Sequence, residues 1–120
     1  MDFFEAKDVV ALSNPGVVSR QLIWPGNSKD ALATITEVHV EPGATQPRHM
    51  HGSSEQSWYA LSGNGTLLLD GEAERAFRAG DVVRFAPGDV HGLRNGGGEF
   101  VYLSVTTPPI DFGGSYRSRS

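Results

Sequence analysis

Four histidines are the residues of this 120-residue sequence with the most chemical reach, and they stand at positions 39, 49, 51 and 91. Two of them alternate within Gln46-Pro47-Arg48-His49-Met50-His51. In extended backbone, residues i and i+2 project from the same face, so His49 and His51 can offer two imidazoles to one metal ion. A working site needs further ligands from elsewhere in the chain. The segment Gly52-Ser53-Ser54-Glu55-Gln56 can turn the chain back and present one, and His91 follows the turn Ala86-Pro87-Gly88-Asp89. His39, between Val38 and Val40, reads instead as a hydrogen-bonded or surface side chain in mid-strand. A lone His-x-His is common, so this spacing alone does not establish a metal centre. With no cysteine, the sequence excludes both a thiolate site and a disulfide framework.

The elements that must position these residues read as β-strands. Fifteen Gly and seven Pro, scattered without a period, break the chain into short pieces and argue against a helical bundle. Strands are expected over 17–24, 31–40, 57–62, 66–70, 76–78, 82–85 and 100–106, each stopped by a Gly- or Pro-containing turn. Gly63-Asn64-Gly65, between two apolar runs, carries the signature of a tight hairpin. Residues 4–12 fit a short helix or a strand. Many short strands punctuated in this way point to an all-β sandwich or barrel. The length suits a single domain spanning 1–120, with its core over about 31–106 and a trailing segment over 110–120.

Composition narrows the function classes. Ten basic against fourteen acidic residues give a net charge of −4 with no basic cluster, which speaks against a nucleic-acid partner. Arg117 and Arg119 read as a solvated tail. No apolar run approaches a membrane span, and the start MDFFEAKD carries no signal-peptide pattern, so a soluble cytoplasmic protein is expected.

Two longer patterns resemble the motifs of the cupin family. Gly43, five residues, then His49-x-His51 matches the first half of its first motif. Gly80, Gly88, His91 and Asn95 in GDVVRFAPGDVHGLRN fall in register with its second, although Ala86 stands at the family's proline position and Pro87 follows it. Sixteen residues separate Gly63 from Gly80, as in small members of the family. The resemblance covers about residues 43–95. It implies a double-stranded β-helix, a small jelly-roll barrel, holding a divalent transition metal (Zn, Fe, Ni, Cu or Mn) inside one mouth. It further implies ligands at His49, His51 and His91, with a fourth from the glutamate position of the first motif.

At that fourth position the sequence departs from the pattern. Counting back six residues from Gly63 places it on Gln56, with Glu55 one step earlier. Gln56, Trp58 and Ala60 share one strand face, and Glu55, Ser57, Tyr59 and Leu61 share the other, so the family's inward phase favours Gln56 over Glu55 as the ligand. Three histidines and an amide add no negative charge and leave a divalent ion its full +2, which sharpens its Lewis acidity and disfavours Mn relative to Zn, Ni, Cu or Fe.

The remaining residues are read more plainly. Trp58 and Phe85 line the cavity or fill the core, and Tyr59 and Tyr102 meet a ligand or simply carry satisfied hydroxyls. Arg48, Arg84 and Arg94 face solvent, and Asn95 pins a loop. Outside the metal shell Glu55 is the one candidate for a catalytic acid or base. The resemblance points to a metal-dependent enzyme acting on a small oxygen-bearing molecule, with dioxygenase-like, isomerase, cyclase and lyase chemistries all open. The alternative is a non-catalytic small-molecule binding or sensing module. A homodimer is expected, with Ile23 and Trp24 of an exposed edge strand as an interface element.

Overall fold

The computed structural model describes residues 1–116 and 118–119. Among them there are eleven strands and three single-turn 3-10 segments, with no α-helix. Strands β1 (Val10–Asn14), β2 (Val17–Ile23), β3 (Thr34–Val40), β5 (Glu55–Ser62), β8 (Val82–Phe85), β10 (Phe100–Thr107) and β11 (Ser118–Arg119) form one sheet in the order β11-β1-β2-β3-β10-β5-β8. The other sheet runs β4-β9-β6-β7, from β4 (Thr45–His49), β9 (His91–Arg94), β6 (Asn64–Leu69) and β7 (Glu74–Arg78). All pairings are antiparallel. The two sheets enclose one core as an open jelly roll and do not join into a closed ladder.

The core draws on both sheets. Val17, Val38, Val40, Trp58, Ala60, Phe100 and Tyr102 of the larger sheet meet Leu67, Phe77 and Leu93 of the smaller. Strand register sorts the inner face of the larger sheet into rows. Val17, Val40 and Phe100 align across one end. Gln21, Thr36, Ser104 and Trp58 align nearer the other end, followed by Thr34, Thr106 and Gln56. The polar members of these rows are as buried as the valines. Inward-facing hydroxyls and amides are therefore concentrated at one end of an otherwise apolar interior.

Several expectations need correction. Gly63-Asn64-Gly65 does not close a hairpin: β5 and β6 belong to different sheets, and the chain crosses between them there. Gly63 has a φ of +90°, and a Cβ on it would fall 2.5 Å from the Glu99 carbonyl oxygen, so the glycine serves a close crossing over the start of β10. The strand expected from 31 begins at Thr34. Residues 4–12 divide into a 3-10 turn at Ala6–Asp8 and strand β1. That strand overturns the proposed interface edge, because β2 lies between β1 and β3 and Trp24 is buried. Strands β4 and β9, which carry His49 and His91, were not foreseen as strands.

The trailing segment folds back on the molecule. Ile110 exchanges hydrogen bonds with the Thr34 hydroxyl, at 2.7 Å through its carbonyl and 3.0 Å through its N–H. The Asn14 amide donates to the Ser115 carbonyl at 3.2 Å. Arg117 and the side chain of Arg119, expected to be a solvated tail, lie outside the described residues.

Candidate metal centre

His49 ends β4 and His91 begins β9, and the two are direct cross-strand partners. The residue after His91 makes that pairing possible. A Cβ on Gly92 would fall 2.7 Å from the Gln46 carbonyl oxygen and 3.0 Å from the Arg48 nitrogen, so only glycine lets β9 lie this close to β4. His51 is tied to the same place by its backbone, whose carbonyl accepts from the Gly88 N–H at 2.9 Å in the turn that leads to His91. Asp89 tightens that turn by accepting from the Ala86 N–H at 2.8 Å.

The three rings converge. Their centroids are 4.3 Å apart for His49 and His91, and 5.2 Å for each pair involving His51. One nitrogen from each lies within 4.8 Å of the others. Two bonds of about 2.1 Å to one ion span at most roughly 4.2 Å, so small side-chain adjustments suffice for a shared metal. His49 donates its Nδ1 proton to the Pro47 carbonyl, and His91 donates its own to the Asp89 carbonyl, both at 2.9 Å. These bonds leave each Nε2 as a bare lone pair, the arrangement of a ligating imidazole with an oriented outer partner.

Burial sharpens the point. The Nε2 atoms of His51 and His91 are buried without a hydrogen-bond partner. An orphaned buried nitrogen is costly, and a metal ion satisfies it. Burial foremost, and then the neighbouring imidazoles, push the His91 pKa down to about 4, against the opposing hydrogen bond to Asp89. The same two causes lower His51. Both groups are thus held neutral near pH 7, the form that binds metal. His91 stacks on Phe85 at 4.5 Å and meets the edge of Trp58 at 5.5 Å.

Gln56 faces inward, as the strand phase indicated, and lines the same cavity as His49 and His51. Its amide accepts from the Trp58 indole N–H and donates to the Thr106 hydroxyl, each at 3.0 Å. Because an indole N–H only donates, the oxygen must face Trp58, and it keeps one lone pair. Glu55 points to the other side of β5, where its carboxylate is paired with Arg84 at 2.8 and 3.2 Å and held below the usual carboxylate range by that guanidinium. It is not among the residues lining the cavity.

The cavity, about 870 Å³, opens beside β4. Its walls include Ser19 and, from the polar rows, Thr36 and Ser104, while the buried His91 is not among the lining residues. Tyr102 donates its hydroxyl to Gln46 at 2.8 Å, so that phenol is satisfied within the wall. The sequence reading missed Phe112 and Tyr116, which the trailing segment brings to the mouth. Phe112 lies edge-on to His51 at 5.8 Å. Tyr116 is hydrogen-bonded to Ser19, and burial raises its pKa. The aromatic residues of that tail were the available signal.

Other side chains behave as read. Asn95 is fully buried and donates to the Val40 and Gly98 carbonyls, pinning its loop. Arg84 and Arg94 pair with Glu55 and Glu74 on the surface. His39 lies between Glu37 and Glu99 on the outer face.

A family profile described as Cupin domain matches residues 36–106. The chain belongs to the cupin family. An uncharacterized protein of Methanocaldococcus jannaschii is 29% identical over 99 residues, covering 82% of this cupin and 78% of its relative. Among solved structures, ectoine synthase from P. lautus superposes with a TM-score of 0.83 at 13% identity, covering 100% of this chain and 88% of the other. That likeness concerns the fold. The polyketide cyclase RemF from Streptomyces resistomycificus gives a TM-score of 0.75 at 26% identity, covering 90% and 79% respectively. No helix among the described residues is long and apolar enough to cross a membrane.

Proposed function

We propose that this cupin is a metal-dependent enzyme that presents a small oxygen-bearing molecule to one divalent transition ion held by His49, His51 and His91, with the Gln56 amide oxygen as fourth contact. The observation that carries this reading is the pair of buried, partnerless Nε2 atoms on His51 and His91, converging with His49. Such an ion supplies Lewis-acid polarisation of a substrate oxygen when bound. The protein's own groups do the rest. The Pro47 and Asp89 carbonyls hold His49 and His91 in one tautomer, and the Trp58 indole fixes the direction of the Gln56 oxygen. The hydroxyls of Thr36 and Ser104 offer hydrogen bonds to the substrate body.

The likeness to a polyketide cyclase supports turnover of an oxygen-rich organic molecule, and dioxygenase-like, isomerase and lyase outcomes use the same arrangement. We do not assign the general base to Glu55, whose carboxylate is occupied by Arg84 outside the cavity. Elemental analysis of the purified protein tests the reading. The wild type is expected to carry about one equivalent of transition metal and a His49→Ala, His51→Ala variant almost none. Equally low metal in both defeats it.

A second reading is favoured by one observation: among the described residues no Asp or Glu lines the cavity, so none of them offers a carboxylate base there. A non-catalytic binding module fits that. Its ligand-dependent thermal stabilisation survives chelation, whereas an enzyme of the first kind loses it. Assembly as a cytoplasmic homodimer belongs to the same proposal. It is supported by the absence of cysteine and by Tyr59, Leu61 and Val82 exposed on the outer face of β5 and β8. Sedimentation at micromolar concentration tests it, and a monomer counts against it.

A further inference from the structure

The walls of the cavity identify the kind of molecule it takes. We infer that the ligand is an uncharged, ring-bearing molecule that meets the ion through a single oxygen pair, and not a phosphorylated or polycarboxylate compound; this rests on the metal-centre reading above. Among the described residues no Asp, Glu, Lys or Arg lines the cavity. Several arginines are committed elsewhere: Arg20 to Glu37, Arg84 to Glu55, Arg94 to Glu74, and Arg48 to the Leu69 and Ala73 carbonyls. A phosphate or second carboxylate lodged against these walls meets no described counter-charge, and an unpaired charge in such surroundings is strongly disfavoured. Among the described residues, the one place that would offset negative charge is an ion held by the histidine cluster.

What the walls do offer is neutral. Ser19, Thr36 and Ser104 are each at least nine-tenths buried and bring hydroxyls to the surface of the cavity. Trp58 and Tyr102 lie 4.3 Å apart at 32° in the lining, and Phe112 and Tyr116 add two further rings to it. At about 870 Å³ the space falls in the upper part of the range for pockets that hold drug-sized ligands, so a two- or three-carbon acid leaves most of it unfilled.

Three β-diketones with one chelating head separate these features: acetylacetone, benzoylacetone and para-carboxybenzoylacetone. Each is titrated calorimetrically into the full chain loaded with Zn²⁺ and into chelator-stripped protein. Benzoylacetone is expected to bind the loaded protein about tenfold more tightly than acetylacetone, and its carboxylate analogue about tenfold more weakly than benzoylacetone. Met50, half exposed at the rim, tests the charge argument independently. Met50→Lys is expected to narrow the gap between benzoylacetone and its carboxylate analogue from about tenfold to about twofold.

Equal or tighter binding of the carboxylate analogue by the wild type overturns the inference. So does equal binding of acetylacetone and benzoylacetone, an undiminished gap between benzoylacetone and its carboxylate analogue in Met50→Lys, or no binding of any probe to protein that retains Zn²⁺. Binding that survives stripping with the ranking intact overturns the metal-centre reading instead, and upholds the wall chemistry.

Discussion

The two ends of the inner face of the larger sheet are built from the same strands and are buried to the same degree, yet they do opposite work. At one end Val17, Val40 and Phe100 pack into the core. At the other, Thr34, Thr36, Ser104, Thr106 and Gln56 occupy equivalent inward positions. A threonine in place of a valine gives up apolar burial and gains a hydroxyl, which is useful only where something polar is to be met. The apolar end therefore packs the core, while Thr36, Ser104 and Gln56 of the polar end give polar faces to a cavity beside the histidines that Val17 and Val38 also line. Burial alone does not tell core from site; the chemistry of the buried side chains does.

The largest expected effect breaks the apolar end. Phe100→Ala should cost about 3–5 kcal/mol in urea denaturation, because Phe100 is fully buried and packs against Phe77 and Tyr102. Acid probes the other end. In the metal-free fold His91 takes up its proton at about pH 4, against 6.5 for an unperturbed imidazole. Between those values the unfolded chain binds more protons, so stability should fall as pH drops from about 6.5 towards 4, by on the order of 2–3 kcal/mol. Urea titrations of chelator-treated protein at the two limits measure this, and His91→Asn should flatten the slope.

A smaller loss, about 1–3 kcal/mol, is expected for Gly92→Ala, where the new methyl presses on the β4 backbone. Because the same contact sets His91 against His49, metal affinity should fall with it, which calorimetric titration with Zn²⁺ reads. The smallest stability effect belongs to Ser104→Ala. It should stay within about 1 kcal/mol in urea while weakening any ligand that uses the polar wall. If Ser104→Ala destabilises as much as Phe100→Ala, the contrast between the two ends is lost.

The clustering of His49, His51 and His91 was legible through the resemblance to two cupin motifs, which the His-x-His spacing alone did not establish. Strand phase, taken with the family's pattern, implied the inward direction of Gln56. The strands bearing two of those histidines were less visible. β4 contains Pro47, which a strand at the edge of its sheet tolerates, and β9 is only four residues long with Gly92 inside it. Alternation in Thr34–Val40 identifies a strand but does not say that threonine rather than Ile35 faces in. Gly63 misled because a turn signal and a close crossing need the same residue. Phe112 and Tyr116 act through long-range docking, which local pattern does not encode.

The indole of Trp58 touches the edge of His91 and bonds to Gln56, whereas the sequence's other tryptophan, Trp24, is buried beside the turn at Gly26. The protein thus contains its own fluorophore beside the three-histidine cluster. A paramagnetic ion held there would dim Trp58, so occupancy could be followed by emitted light in the unlabelled molecule.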